Sequence, residues 1–369
     1  MANIEKVSVI QVILLLVNGR LLTEMLYQPA VKTPPANQDM WITEILALIY
    51  LFIICMPLLF LSNKFENMTL VQYVETIMGK VIGKLLGLLF IAILLLYTQL
   101  QLALAAIFLK TIIIPETPEY ATMLLMLTAC TYAAYKGLEC LGRLAEFFVP
   151  FYFIIIILFF VLSSKDMKFE VFLPILADTD FGQLNFGALN IASRYTEIII
   201  LSMLVPHINK KKHVNTIFAY STVIFTFLFL MATISTQSIL GIAPAKEENF
   251  PYFIFVKQIR AFDFIERIES LNVLIWFLGW FLKFSLYQYF AAASLAQILG
   301  RKSHKIFIIV IAALMFIIAV KSEILDIVML NFIGSYKVLP YIGFVPIFII
   351  PLVVLAVYYF RRKNLIISR

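Results

Sequence analysis

Cysteine and histidine are scarce in this chain, and the few present stand apart. Cys55, Cys130 and Cys140 have neither metal-ligand nor disulfide spacing, so they read as small apolar fillers. His207, His213 and His304 fall in basic loops without ligand spacing and read as solvated. No metal site or cofactor is expected. Catalytic patterns are missing as well: there is no Gly-rich phosphate loop, no His-Glu-x-x-His and no nucleophile elbow. Intramembrane proteolysis would need a polar Ser/His or paired-Asp arrangement, and no apolar span carries an Asp at mid-depth. The chain reads as a non-enzyme. Charged residues are only 14% of it, against 62% hydrophobic residues and a mean hydropathy of +0.97, which excludes a soluble domain as the main reading.

Spans of about 20 apolar residues recur instead. Ten are expected, at residues 8–31, 41–61, 81–110, 119–135, 145–163, 185–206, 214–240, 271–298, 305–321 and 338–360. Pro-rich or charged links separate them, among them Thr33-Pro34-Pro35, Pro115-Glu116-Thr117-Pro118, Lys210-Lys211-Lys212-His213 and Arg301-Lys302-Ser303-His304-Lys305. No soluble segment is long enough to fold alone, so residues 1–369 are expected to form a single integral membrane domain. The first span lacks a basic flank and a small-residue cleavage site, so no cleavable leader is expected.

Charge bias sets the expected orientation. With both termini in the cytoplasm, the cytoplasmic ends hold most of the 29 Lys and Arg residues, including Lys64, Lys80, Lys136, Arg143, Lys210, Arg301, Lys302, Lys305 and Arg361. The opposite side collects Asp178, Asp180, Glu247, Glu248, Asp263, Glu266 and Glu269. The net charge of +7 is therefore an orientation signal, and nothing else favours nucleic acid as a partner. On the outer side, residues 250–263 read as an amphipathic helix lying over the mouth of the bundle.

Ten spans divide into two sets of five, about residues 1–163 and 181–360, and an odd number per set makes the second run inverted. The corresponding first helices, spans one and six, both carry an Arg followed by a Glu at mid-depth: Arg20 and Glu24 at i,i+4, and Arg194 and Glu197 at i,i+3. Either spacing puts the pair on one helical face. Each charge is roughly ten residues, or about 15 Å, from water, where a lone charge costs about 3 kcal/mol on insertion scales. Asn18-Gly19 in span one and the Asn190–Ser193 run in span six mark where the helices are expected to break; a continuous helix tolerating Gly19 is the alternative.

Span three begins Gly79-x-x-x-Gly83-x-x-x-Gly87, a face that lets another helix approach closely, and Tyr97 and Gln101 follow on that face. Span eight places Trp276, Trp280, Lys283 and Tyr287 on one stripe. A buried Lys must pair with a carboxylate or lose its proton, and Glu197 and Glu24 are the candidate partners. Glu139, Arg143 and Glu146 form an expected cytoplasmic ion-pair cluster.

Several motifs together carry a resemblance. These are Phe264-Ile265-Glu266-Arg267-Ile268-Glu269-Ser270 leading to Trp276, Gly137-Leu138-Glu139 with Arg143 and Glu146, and Glu197 followed by Pro206 and the basic run at 210–212. In these and in its length, the chain resembles the B subunits of bacterial spore germinant receptors, the endospore permease family of the amino acid–polyamine–organocation superfamily. The resemblance implies an all-α membrane protein of ten transmembrane helices, a five-plus-five inverted repeat of the leucine-transporter type with broken helices one and six. It implies a pocket for a small germinant, often an amino acid, between spans one, three, six and eight. The residues placed there are Asn18, Gly19, Arg20, Glu24, Tyr97, Gln101, Ser193, Arg194, Glu197, Trp276, Trp280, Lys283 and Tyr287. It also implies assembly with a receptor A subunit and a lipoprotein C subunit in the spore inner membrane. Sodium-coupled relatives hold a cation between helices one and eight, where Lys283 would substitute. Many members show a Gly-Ala-Gly-like break where this chain has Asn18-Gly19-Arg20. Two other readings stay open: a proton-coupled amino-acid transporter acting alone, and a structural subunit whose buried charges only pair with each other.

Overall fold

The structure, a computed structural model, describes residues 5–27, 32–209, 213–259, 267–321 and 338–367. In chain order its helices are α1 (Val9–Tyr27), α2 (Met40–Lys64), α3 (Leu70–Met78), α4 (Lys80–Phe108), α5 (Glu119–Lys136), α6 (Leu138–Ser163), α7 (Phe181–Ser193) and α8 (Glu197–Leu204). There follow α9 (Val214–Leu240), α10 (Ile242–Glu247), α11 (Pro251–Gln258), α12 (Glu269–Ile298), α13 (Lys305–Lys321), α14 (Leu339–Phe344) and α15 (Ile350–Ile367). Among the described residues the only β contact is an isolated parallel bridge between Val7 and Ile208.

Each of the ten expected spans falls on one of these helices or on a joined pair. Among the described residues, six helical stretches are long and apolar enough to cross a membrane, and α7 with α8 makes a further span bent by 40° at its middle. The outward sides carry large apolar side chains, such as Phe147, Phe151 and Ile154 on α6 and Ile306 and Ile309 on α13. That is the surface of a bundle whose solvent is hydrocarbon. The basic run Lys210–Lys212 lies outside the described residues, as do Arg260, Phe262, Asp263 and the motif residues Phe264–Glu266.

Sequence punctuation explains the sharp turns. Gly79 (φ 88°) and Gly137 (φ 100°) each end one helix and begin the next in a backbone region that L side chains rarely adopt. The small-residue face of α4 works as its spacing predicts. A Cβ on Gly83 would lie 2.3 Å from the Glu75 Cα of α3, and one on Gly87 would lie 2.9 Å from Ile298 of α12. Gly83→Ala is therefore expected to destabilise the protein by about 1–3 kcal/mol through overpacking. Val81→Ala, at a 75% exposed position two residues away, should stay within about 0.5 kcal/mol of the parent. Thermal unfolding of the purified protein compares the two.

The expected surface helix near residue 250 is present as α11, but it is drawn into the bundle. Tyr252, Phe253, Phe255 and Val256 are buried, and α11 packs on α1, α9 and α12. Its aromatic face meets Phe108 and Trp276, which are apolar enough to pull it inward.

The second expected break is present and the first is not. The Asp180 side chain accepts the Gln183 N–H at 2.8 Å, and a capping box starts α7. That helix stops at Ser193, and α8 restarts at Glu197. In contrast α1 runs through Asn18-Gly19 without interruption. Its Gly is used for proximity instead: a Cβ at Gly19 would meet the Glu197 Cγ at 3.2 Å.

Candidate functional site

Arg20 and Glu24 of α1, Arg194 and Glu197 of the α7–α8 break and Lys283 of α12 converge in the core, all 3% exposed or less. Arg20 is the hub of one group. One terminal nitrogen lies 2.9 Å from a Glu24 carboxylate oxygen and donates to the Arg194 carbonyl at 3.0 Å. The other donates to the Ile191 carbonyl at 2.8 Å. Its guanidinium also lies over the rings of Phe225 and Tyr195, at 5.2 and 5.8 Å. Helix α7 thus ends on a fixed cation that adds a second donor to two carbonyls at its break and opposes the negative end of its dipole. The planar fork suits this task, because it reaches two carbonyls and a carboxylate at once.

Lys283 is the hub of the other group. Its ammonium donates to the Gly19 carbonyl at 2.6 Å and lies 3.4 Å from Glu197 Oε1. Tyr287, one turn along α12, donates its hydroxyl to the same oxygen at 3.0 Å. Of the two candidate partners, Glu197 is the one that meets Lys283. Its Oε2 is buried and has no hydrogen-bond partner among the described residues.

The other expected residues sort around these hubs. Asn18 donates to the Gly279 carbonyl at 3.2 Å and ties α1 to α12. Ser193 donates to the Asn190 carbonyl, and Arg194 donates to the Asn190 side chain at 2.7 Å. Arg194 and Glu197 therefore do not share a helical face, because the helix stops between them and the spacing rule does not cross the break. The Tyr97 hydroxyl lies by the break, where a Cβ on Gly343 of α14 would come within 2.6 Å of it and 2.2 Å of the Ser193 carbonyl. Gln101 is buried one turn further along α4. Trp276 and Trp280 are 6.2 Å apart and join Phe108, Phe250 and Phe253 in an aromatic cluster under α11.

The sequence gives no local sign of the groups that back this core. Phe225 and Tyr195 stack on Arg20, and Asn190 holds Arg194. Glu44 on α2, itself 2% exposed, accepts the Thr233 hydroxyl of α9 at 2.6 Å.

At the other end of the bundle, Arg143 and Glu139 pair at 2.6 Å on the surface. Glu146 accepts instead from the Gln11 amide at 3.0 Å. Two of the histidines expected to be solvated are held here. The Val7 N–H donates to the His207 carbonyl at 2.9 Å, and the His207 Nδ1 lies 3.0 Å from the Glu5 carbonyl. The Glu5 carboxylate accepts the Leu138 N–H. His304 stacks edge-on against Tyr289, at 4.8 Å between centroids. Burial pulls the His304 imidazole below its usual pKa; Glu5 opposes this, and Lys305 and His207 add to it. The strap formed by residues 5–8 draws these groups together, which single-span patterning does not reveal.

Comparison with known proteins bears on this arrangement. The sequence matches the family described as spore germination protein over residues 6–327. It is 26% identical over 364 residues to spore germination protein A2 of Bacillus subtilis (strain 168), covering 97% of each chain. It is 21% identical over 287 residues to spore germination protein XB of Bacillus anthracis, covering 77% of this chain and 79% of that one. Among solved structures, MhsT in complex with L-phenylalanine superposes with a TM-score of 0.67 at 12% identity, covering 95% of this chain and 98% of that one. The fold is the leucine-transporter type that the family resemblance implies, and the protein is a multi-pass integral membrane protein.

Proposed function

The chain belongs to the spore germination protein family, and on that premise we propose that it is a germinant-receptor subunit binding a small nutrient at the α7–α8 break. The nutrient class is an amino acid, and the bound state is passed to partner A and C subunits. The observation that carries this reading is the Glu197 carboxylate. One oxygen is held by Lys283 and Tyr287, and the other is buried and unpartnered beside a helix break. A ligand ammonium group satisfies that oxygen. The positive dipole end of α8 favours the ligand carboxylate. Both terminal nitrogens of Arg20 are already engaged, so Arg20 acts as a clamp on α7 and not as the carboxylate receptor. Tyr97 and Tyr287 form walls of the pocket, with Gln101, Ser193, Trp276 and Trp280 as further lining. The presence of L-phenylalanine in MhsT, a protein of the same fold, supports the amino-acid class.

In this reading residues 1–369 are one membrane domain with repeats over about 1–163 and 181–360, and both termini are cytoplasmic. No catalytic step is assigned. Glu139, Arg143 and Glu146 stabilise the cytoplasmic end and do not touch the ligand. Glu197→Gln is accordingly expected to weaken the ligand response at least tenfold, and Glu139→Gln less than twofold. Germination of spores carrying each variant, scored against a panel of nutrients, measures this; equal effects would count against the pocket. A thermal-shift screen of purified protein with amino acids supplies the direct measurement, since ligand at 100 times its Kd adds about 2.7 kcal/mol of stability.

A second reading, a proton-coupled amino-acid transporter acting alone, draws on Lys283. An ammonium held between the Gly19 carbonyl and Glu197 can release its proton when Glu197 turns to a ligand. Uptake of labelled amino acid into proteoliposomes under a proton gradient separates the two readings.

A further inference from the structure

We propose that the groove between α5 and α13 binds an anionic phospholipid, with one acyl chain along the groove and the phosphate between Lys136 and Lys305. The groove encloses about 560 Å³ and is lined on one side by Leu124, Leu127 and Tyr135 and on the other by Ile309, Ala313 and Phe316. From Leu124 to Tyr135 it runs about 16 Å at the helical rise, close to half of the roughly 30 Å hydrocarbon thickness, so it spans one leaflet. It is closed at one end by two lysines that have the same arrangement. Lys136 Nζ lies 5.1 Å above the Tyr132 ring, and Lys305 Nζ lies 4.7 Å above the Tyr135 ring. Both tyrosines line the groove and are well exposed, Tyr132 by 65% and Tyr135 by 43%. Aromatic rings at that level mark the interface between hydrocarbon and headgroups.

Charge complementarity identifies the occupant. Neither lysine has a carboxylate partner among the described residues, and the adjoining loop adds Arg301 and Lys302 without an acid. Two carboxylates at this end of the bundle are engaged elsewhere, Glu5 by the Leu138 N–H and Glu139 by Arg143. A basic pocket between membrane helices at the end of an apolar groove suits a lipid phosphate with its acyl chain. A helix from another chain would leave the two ammonium groups unsatisfied unless it brought acids at that level.

The site also reaches the core. Gln288 donates to the Thr131 hydroxyl and to the Ile308 carbonyl, both at 3.0 Å, so one side chain of α12 ties both groove walls together. It directly follows Tyr287, which holds Glu197. Lipid that fixes the spacing of α5 and α13 therefore steadies the helix carrying Lys283.

Native mass spectrometry of the full chain, titrated in detergent with phosphatidylglycerol or phosphatidylcholine, tests the proposal. Lys136→Gln with Lys305→Gln should weaken phosphatidylglycerol binding about 30-fold, roughly fivefold per lysine. Lys64→Gln with Lys80→Gln removes equal charge at exposed positions away from the groove and should change the affinity less than threefold. Ala313→Trp fills the groove without altering charge and should also displace the lipid. The proposal is overturned if both lysine pairs cause equal loss, or if Ala313→Trp retains full binding. It is likewise overturned if the wild-type chain shows no headgroup preference and is a dimer by mass, which would make a second copy the occupant.

Discussion

Arg20→Ala is expected to destabilise the protein by about 3–5 kcal/mol, the range for breaking a buried ion pair from one side. Three acceptors lose a donor together. Glu24 becomes a buried carboxylate without its 2.9 Å partner, and the Ile191 and Arg194 carbonyls keep only their backbone donors, the Arg194 and Thr196 N–H groups. Both carbonyls keep a backbone donor, so they add less to the loss than the stranded Glu24 charge does. Arg20→Lys should recover little, because a point ammonium cannot reach two carbonyls and a carboxylate in the geometry of the planar fork. Arg20→Met combined with Glu24→Gln should recover more than either single change predicts, since it removes the stranded charge and keeps the volume. Unfolding of the three purified variants in a mild detergent, beside the parent, measures these effects. An Arg20→Ala protein within 1 kcal/mol of the parent would mean that water or another cation replaces the guanidinium, and the clamp would have to be abandoned.

Much of this arrangement was legible in the sequence because it depends on composition and short-range spacing. Apolar runs near 20 residues have one stable solution in a bilayer, so the spans could be placed within a few residues. Arg20 and Glu24 are four residues apart on an unbroken helix, and they do pair. The same logic failed for Arg194 and Glu197, where the three-residue spacing straddles a break. A break in α1 was expected from Asn18-Gly19, yet the bundle needed only the close approach that glycine allows, and a side-chain cation filled the place of opened backbone. Long-range choices were not readable. Whether Lys283 meets Glu24 or Glu197 depends on the rotation of α12 against α1, and no periodicity within one helix reports on that. The same holds for Trp276 and Trp280. They share a stripe with Lys283, but the docking of α11 gathers them into an aromatic cluster. The strap at residues 5–8 has only four residues to show a pattern, and its partner lies about 200 residues away.

Removing Lys283 is expected to have an effect of similar size and to create a dependence on sodium that the parent lacks. Lys283→Ala leaves the Glu197 carboxylate with only the Tyr287 hydroxyl, inside a space surrounded by protein. Breaking that pair from one side again costs about 3–5 kcal/mol. The vacated volume is bounded by the Gly19 carbonyl and Glu197 Oε1, two hard oxygen donors, one of them charged. Oxygen donors of this kind suit a small hard cation, whereas in the parent the tethered ammonium occupies the same position permanently. The Lys283→Ala protein should therefore be stabilised when sodium replaces choline in the buffer, by about 2.7 kcal/mol once sodium reaches 100 times its Kd. The parent should not respond to the exchange. Lys283→Ala with Glu197→Gln should be more stable than Lys283→Ala alone and should lose the sodium response, because its carboxylate is gone. Unfolding curves of the three proteins in sodium and choline salts decide the matter. If Lys283→Ala unfolds identically in both, the ammonium is not standing in for an ion, and its role reduces to pairing with Glu197 and holding α1 to α12.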